Sequence, residues 1–541
     1  MRQGRHSVSS HPSLFAFCLF SHCMSSTVLN STFPAPEHAV IYVGAASVSM
    51  VVGLRGTERL HREDVEYLDR PLPLARDIFR MGSITRSTVE QTVSILRDFL
   101  QSTRELGVPL AQVRLFTTNI LAEASNHEIF LNRLQIQTGI TPALIDDGSM
   151  TRLVFQIAQR LLQKNPRLAE GRTFVTHIGP GNTRAMFFDQ GRLAAYSNYR
   201  LGIFRAREAV SGSDDMAPQA MVHLEEQIRG VVDHLAQDYS GHPIDHHVAI
   251  GAEIQSVAPR LSKSRQGSYQ VREDDLARFT EKLARLNPDQ LVRELHVHYT
   301  GGEGIVPALQ TNLALAKRFG DQSIWVPEGD FHFELMLDLM TAGSRTAVFQ
   351  EEVMQSACEI GLRYKTDRKH ADQVALFAQQ LFRELQHLHG LDPTYELILR
   401  VAATLHEVGM FISPREHHKH SLYILLNTEI FGLSTRDREL VALLARYHRR
   451  YNPEPNHPTF SDLSREDRMI VLKLAALLRI ADSLDRSHAQ RIKSIQLRLE
   501  SSRLRIITHG VDDNTIEQIA IDSKCDLFRE IYGYEVVLAK S

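Results

Sequence analysis

HAVIYVGAASVSMVV (residues 38–52) and RTFVTHIGPGNTRAMFF (residues 172–188) read as two copies of one module. Each is an apolar run, a glycine turn and a second apolar run, the pattern of a β-hairpin. Strand and helix patterns then alternate. SITRSTVEQTVSILRDFLQSTRELG (83–107) places Val89, Val93, Leu96 and Leu100 near helical spacing, with Ser83 or Thr85 as cap and Gly107 as stop. NHEIFLNRLQIQTG (126–139) is a helix with Asn126 as cap, and PALIDDGSMTRLVFQIAQRLL (142–162) reads strand, turn, helix. The second module leads into further strands and helices as far as Met340. Two β-rich starts followed by βα units imply two similar α/β lobes with a cleft between them.

Residues 346–490 are nearly all helical in pattern. LRVAATLHEVGMFISPREHHKHSLYILLNTEIF (399–431), LVALLARYHRR (440–450) and KLAALLRIADSLDRSH (473–488) are apolar runs that carry His406-Glu407, His417, His418, His420, His448 and Asp482. Burying a carboxylate without a partner costs several kcal/mol. A metal ion or a bound phosphate would supply that partner, and His370 upstream adds a further ligand-type side chain. The tail, SIQLRLESSRLRIITHG (494–510) and EQIAIDSKCDLFREIYGYEVVLA (517–539), reads hairpin, strand, helix, strand.

The chain has 541 residues and a net charge of -3, which excludes a global basic field for nucleic acid; no DNA partner is expected. No apolar run reaches the roughly 18 residues of a membrane span. The four cysteines (Cys18, Cys23, Cys358, Cys525) are scattered, which fits a reducing, cytoplasmic setting and no zinc-thiolate site. Residues 1–37 read as a disordered extension, or as an upstream start with Met24 as the true first residue. The expected domains are a first α/β lobe at 38–160, a second at 161–345, a helical domain at 346–490 and a small α/β tail at 491–541.

The order of these modules resembles the exopolyphosphatase/guanosine pentaphosphate phosphohydrolase (Ppx/GppA) family across nearly all of residues 39–541. LHEVG, HHKHS, YILLN, GLS, RYHRR and RIADSLDRSH carry the likeness in the helical half. The resemblance implies an α/β plus all-α protein: two actin-like (ribonuclease H-like) lobes, then an HD-type helical domain. In the first half it exposes departures. The family's DLGSNS loop is YVGAAS here, with Tyr42 at the Asp while Gly44 and Ser47 stay. ATSAxRxAxN is TTNILAEASN, with Ala122 at the Arg. ISGxEEARL is IDDGSMTRL, with Ser149 and Met150 at two Glu positions, one of them the family's catalytic base. DIGGGSTE is HIGPGNTR, with His177, Pro180, Asn182 and Arg184 replacing Asp, Gly, Ser and Glu. SDGGLREG is PEGDFHFE, which keeps Gly329.

By this resemblance Gly44, Ser47, Gly179, Gly181 and Thr183 remain as phosphate-binding residues, and Arg184, an arginine in a phosphate loop, can bind an anion directly in place of a metal. Tyr42, His177 and Arg184 cannot replace carboxylates around Mg²⁺, and no base stands at Ser149 or Met150. Losing a general base costs about 10²–10⁴-fold in rate. Asp146, Asp147 and Glu123 are nearby acids that could compensate. The expectation is a protein for linear phosphoanhydrides, polyphosphate or guanosine pentaphosphate, with hydrolysis weakened or lost. A non-catalytic polyphosphate- or nucleotide-binding regulator is one alternative. The other is an HD-type metal-dependent phosphohydrolase, because His370, His406, Glu407 and Asp482 follow the HD order and would hold a divalent metal (Mg²⁺ or a transition metal). His420, His448 and Arg449 are the expected polyanion contacts, and the family's dimers suggest a homodimer.

Overall fold

In the first sheet, β1 (His38–Val43) pairs antiparallel with β2 (Ser47–Gly53), and β2 with β3 (Glu66–Pro71). On its other side β1 runs parallel to β4 (Val113–Thr117), and β4 parallel to β5 (Ala143–Leu144). The order is therefore β3-β2-β1-β4-β5. β1 and β2 are buried at every position but the first, because both faces of the sheet are covered. These features belong to a computed structural model that describes residues 38–53, 65–199, 202, 218–295, 299–320, 322–340, 346–449, 451–454, 456–511 and 513–540. The extension read at 1–37 lies outside the described residues.

The second sheet repeats the plan with β6 (Arg172–Ile178), β7 (Thr183–Asp189), β8 (Arg192–Tyr199), β9 (His246–Ile250) and β12 (Ser323–Pro327). β10 (Ser264–Arg265) and β11 (Ser268–Arg272) extend it, giving β10-β11-β12-β9-β6-β7-β8. The two sequence modules thus open two sheets of one plan, an antiparallel hairpin whose first strand runs parallel to a later strand.

Helix α1 (Arg86–Glu105) starts at Thr85, whose hydroxyl accepts from the Thr88 amide, and buries Val93, Leu96 and Leu100. Asn126 does not cap its helix. Its side chain accepts from the Ile84 amide at 2.8 Å and donates to the Ile84 carbonyl at 2.9 Å, so it ties two loops together.

Two helices cross between the lobes. α2 (Asp147–Lys164) follows the first sheet in the chain but packs Phe155 on Phe188 of the second, ring centres 5.9 Å apart. α3 (Phe331–Met340) follows the second sheet but packs on β1 and β2, and its last carbonyls accept from Arg114 of β4. A buried two-pronged pair joins the crossing helices: Arg152 to Asp338 at 2.6 and 2.8 Å. A boundary drawn at residue 160 thus separates α2 from the sheet it covers.

The helical region contains α4 (Arg368–Glu384), α5 (Tyr395–Leu405), α6 (His417–Leu426), α7 (Thr435–Tyr447) and α8 (Arg465–Ser483). It abuts the first turn of α2. A Cβ on Gly148 would lie 2.6 Å from the Ser434 amide nitrogen, so only glycine fits there. The tail is a sheet of β13 (Ser494–Leu499), β14 (Arg503–His509) and β15 (Glu535–Lys540). EQIAIDS, read as a strand, lies instead in helix α9 (Thr515–Lys524). Its buried positions Glu517, Ala520, Ile521 and Lys524 have helical spacing, and half of them are polar, so an apolar pattern alone misses the helix. No helix among the described residues is long and apolar enough to cross a membrane.

Candidate functional site

Between the lobes, Tyr42, His177 and Arg184 are all buried, and His177 Nδ1 has no hydrogen-bond partner. Burial pushes the Tyr42 phenol up to about 12, against a smaller opposite effect of its hydrogen bond with Thr118, so it is neutral at ordinary pH. His177 stacks on Phe331, ring centres 4.8 Å apart. Burial first, then Arg184 and His332, hold it well below the usual histidine range. Arg184 is buried and donates to Asp147 Oδ1 at 2.5 Å and to Thr151 Oγ1 at 3.3 Å. The same Oδ1 accepts from Asn119 at 2.7 Å and Asn182 at 3.2 Å.

Asp147 is thereby a crosslink among β7, the glycine turn before it and the Asn119 loop, rather than a free acid. Asp146 caps α2 by accepting from the Ser149 amide at 2.7 Å. Glu123 is exposed, and Ser149 and Met150 are half-buried.

The glycine turns close on themselves. Gly44 N–H donates to the Ser47 carbonyl at 2.8 Å and Gly179 N–H to that of Asn182 at 2.9 Å. Gly181 lies under Ile120 and Phe79, whose atoms would be 3.2 and 3.4 Å from an added Cβ. A Cβ on Gly202 would come within 2.3 Å of the Gly181 nitrogen, so backbone also covers this turn. Thr183 is fully buried. The structure brings Gly179, Gly181, Thr183 and Arg184 together, but in a packed seam.

The helical region is built differently. His370 on the first turn of α4, His406 just after α5 and Asp482 near the end of α8 are each at most 2 % exposed. Asp482 Oδ1 lies 3.6 Å from His370 Nε2 and 3.8 Å from His406 Nε2. Neither Nε2 has a hydrogen-bond partner. The opposite ring nitrogens are occupied: His370 Nδ1 meets Asp485 Oδ2 at 2.9 Å, and His406 Nδ1 donates to the Ala403 carbonyl at 2.7 Å. A carbonyl only accepts, so the His406 proton sits on Nδ1 and the Nε2 lone pair points inward.

A carboxylate or carbonyl behind each imidazole is the usual outer arrangement of a metal ligand. A tetrahedral ion with ligand bonds of about 2.0–2.1 Å has ligand–ligand edges of about 3.3 Å. The two edges at Asp482 are slightly longer and all three ligand atoms lie within 4.8 Å of one another, so the groups fit a divalent ion after a contraction.

Electrostatics favour a cation at this place. Burial works against ionised Asp482, but Lys524, His370 and His406 outweigh it and hold the carboxyl well below the carboxylate range. Burial likewise opposes a charged His370, but Asp482 and Asp485 outweigh it and push it up to about 9.

Glu407 falls in an overlapping group with His370 and His488 rather than in the His370–His406–Asp482 group. His488 stacks face to face on His370 at 3.7 Å. His448 is buried, and its Nδ1 donates to the Ala445 carbonyl at 2.6 Å. Its Nε2 faces His417 Nε2 at 3.2 Å, while His417 Nδ1 donates to the Pro414 carbonyl. Two lone pairs so placed call for a shared proton or cation between them. His420 and Arg449 are half-buried nearer the surface.

The sequence reading missed Asp485, His488, His417 as a partner of His448, and Lys524. The DSLDRSH run held a signal for the first two: Asp485 follows Asp482 by one helical turn, and His488 follows by nearly two.

Residues 60–329 match the model of the Ppx/GppA phosphatase family, and residues 354–521 match Ppx/GppA phosphatase, domain III. The chain belongs to the Ppx/GppA phosphatase family. A guanosine-5'-triphosphate,3'-diphosphate pyrophosphatase of Aliivibrio fischeri is 22 % identical over 462 residues, covering 83 % of this chain and 88 % of the relative. One from Aeromonas hydrophila is 21 % identical over 456 residues, covering 83 % and 87 %. Among solved structures, an exopolyphosphatase from Cytophaga hutchinsonii aligns over 57 % of this chain and 98 % of its own, with 15 % identity and a TM-score of 0.46. A Ppx/GppA member from Aquifex aeolicus aligns over 57 % and 100 %, with 16 % identity and a TM-score of 0.43.

Proposed function

We propose that this protein handles linear phosphoanhydrides, polyphosphate or guanosine pentaphosphate, and that hydrolysis between its lobes is weakened or lost. The observation that carries this is Asp147. The acid nearest the missing base positions accepts from Arg184, Asn119 and Asn182 on one oxygen. A general base must reach a water with a free lone pair and a suitable pKa. Arg184, Asn119 and Asn182 all occupy Oδ1 of Asp147. Gly44, Ser47, Gly179, Gly181 and Thr183 retain a role as anion-binding turns if the seam opens. The relatives' names, pyrophosphatase and exopolyphosphatase, support this substrate class. The test is release of phosphate from polyphosphate and from guanosine pentaphosphate by purified protein with Mg²⁺. The expected result is saturable binding with release at most about 10⁻² of that of an active relative. Release at the relative's rate would overturn the reading.

A second reading has its own observation, the inward Nε2 atoms of His370 and His406, without hydrogen-bond partners, opposite Asp482. It makes domain III an HD-type centre for metal-dependent phosphohydrolysis. His370, His406 and Asp482 would hold a divalent ion, with Glu407 beside them. Bound there, the ion would polarise a phosphoryl oxygen and acidify a water. Asp485 orients His370, and the Ala403 carbonyl fixes His406. His420, Arg449 and Lys419 at the outer side offer charge to the rest of a polyanion. Two imidazoles and a carboxylate suit Zn²⁺, Mn²⁺ or Fe²⁺ better than Mg²⁺. In a dimer or a monomer this ligand set is complete within one chain.

A further inference from the structure

The tail domain reaches into this centre. Lys524, the last residue of α9, is 8 % exposed and places its ammonium on Asp482 Oδ2. The other oxygen, Oδ1, faces His370 and His406. Asp482 thus has one oxygen for an internal cation and one for the imidazole side. The Lys524 backbone is itself anchored. Arg479, fully buried one turn before Asp482 on α8, donates from Nη1 to the Lys524 carbonyl and to Asp526 Oδ1, both at 3.3 Å. Its Nε donates to the Tyr447 carbonyl at 2.8 Å, next to His448. Lysine is flexible and gains little from burial unless a charge receives it. Here the chain delivers it to the one carboxylate that both unpartnered imidazoles face.

We propose that Lys524 is a built-in counter-cation of the domain III centre, a positioning residue that fixes Asp482 and weakens its hold on a divalent ion. The proposal rests on the metal reading of His370, His406 and Asp482. It adds that the tail domain sets the affinity of that centre and limits Asp482 to one oxygen for the ion. Two effects act in the same direction. The ammonium repels a second positive charge a few ångströms away, and it stabilises the metal-free carboxylate that the ion would otherwise neutralise. Removing the charge while keeping the side-chain bulk should therefore tighten metal binding. A lysine that served packing alone would, when changed, leave metal affinity unaltered or lower it.

The experiment is calorimetric titration of the full chain with Mn²⁺ and with Zn²⁺, with thermal melting in parallel. It compares wild type with Lys524→Met, Lys524→Gln and Lys524→Arg. Glutamine can still donate to Oδ2, so it keeps a folded protein available should methionine leave Asp482 too exposed to strain. The expected result is affinity at least about tenfold higher in Lys524→Met and Lys524→Gln, and wild-type affinity in Lys524→Arg. The metal-free neutral variants should melt lower than wild type and recover when the ion is added. Equal or weaker binding in both neutral variants, with wild type binding, overturns the role of Lys524 and leaves the metal reading intact. Binding in the neutral variants alone supports Lys524 as the occupant of the site and overturns a resident ion in the wild type. Binding in none overturns both.

Discussion

Asp147 and Asp482 are each held by a cation from a distant part of the chain, Arg184 in one case and Lys524 in the other. Around Asp147 the remaining donors, Asn119 and Asn182, converge on the same oxygen that meets Arg184. Around Asp482 the neighbours are imidazole Nε2 atoms with no hydrogen-bond partner. The first arrangement is a finished structural joint. The second is satisfied only by something the polypeptide does not supply. In the seam, Tyr42, His177 and Arg184 are packed and buried. Among the described residues, a buried nitrogen without a hydrogen-bond partner stands alone at His177 Nδ1 in the seam, whereas two of them, His370 Nε2 and His406 Nε2, face one carboxylate in domain III.

That contrast can be broken or sharpened by substitution. The largest expected effect is on the buried joint between the crossing helices. Asp338→Ala leaves Arg152 charged and unpaired, and chemical denaturation should show a loss of about 3–5 kcal/mol. Metal affinity of the folded variant should not change. Asp147→Ala strands Arg184 in the same way, but the carboxylate is 41 % exposed, so screening reduces the expected loss to roughly 2 kcal/mol. An equal loss of metal binding in Asp147→Ala would erase the distinction between the two regions. In domain III, Asp485→Asn keeps the shape behind His370 and removes the charge. Metal affinity should fall about 10–100-fold, and the metal-free protein should melt lower below about pH 9, where Asp485 helps to hold His370 charged. The smallest effect belongs to Ser149→Glu. Restoring one acid at a family base position should leave phosphate release unchanged in a direct assay, because Tyr42, His177 and Arg184 remain where metal carboxylates would be needed.

Much of this was readable before any coordinates. Gly44 and Gly179 mark the two hairpins because a turn between two buried strands needs a residue without a side chain there, and that is a local signal. His370, His406 and Asp482 were readable because polar ligand types inside apolar helices are locally costly. Asp147's role was not readable. Its partner Arg184 lies on a strand of the other lobe, and only tertiary packing joins them. The exchange of α2 and α3 between sheets is equally non-local. Lys524 was hidden by a wrong period: Ile519 and Ile521 in EQIAIDS suggested a strand, while the buried stripe of α9 includes Glu517 and Lys524. Glu407 shows the opposite limit. Adjacency to His406 in sequence suggested a shared ion, yet the helix end turns it toward His370 and His488.

The most direct test is the metal content of purified full-length protein after equilibration with Mn²⁺ or Zn²⁺, measured for wild type, His406→Ala and Asp147→Ala. The account predicts one tightly held ion per chain in wild type and in Asp147→Ala, and none in His406→Ala. An ion that survives His406→Ala and disappears with Asp147→Ala would contradict it and return the working centre to the seam between the lobes.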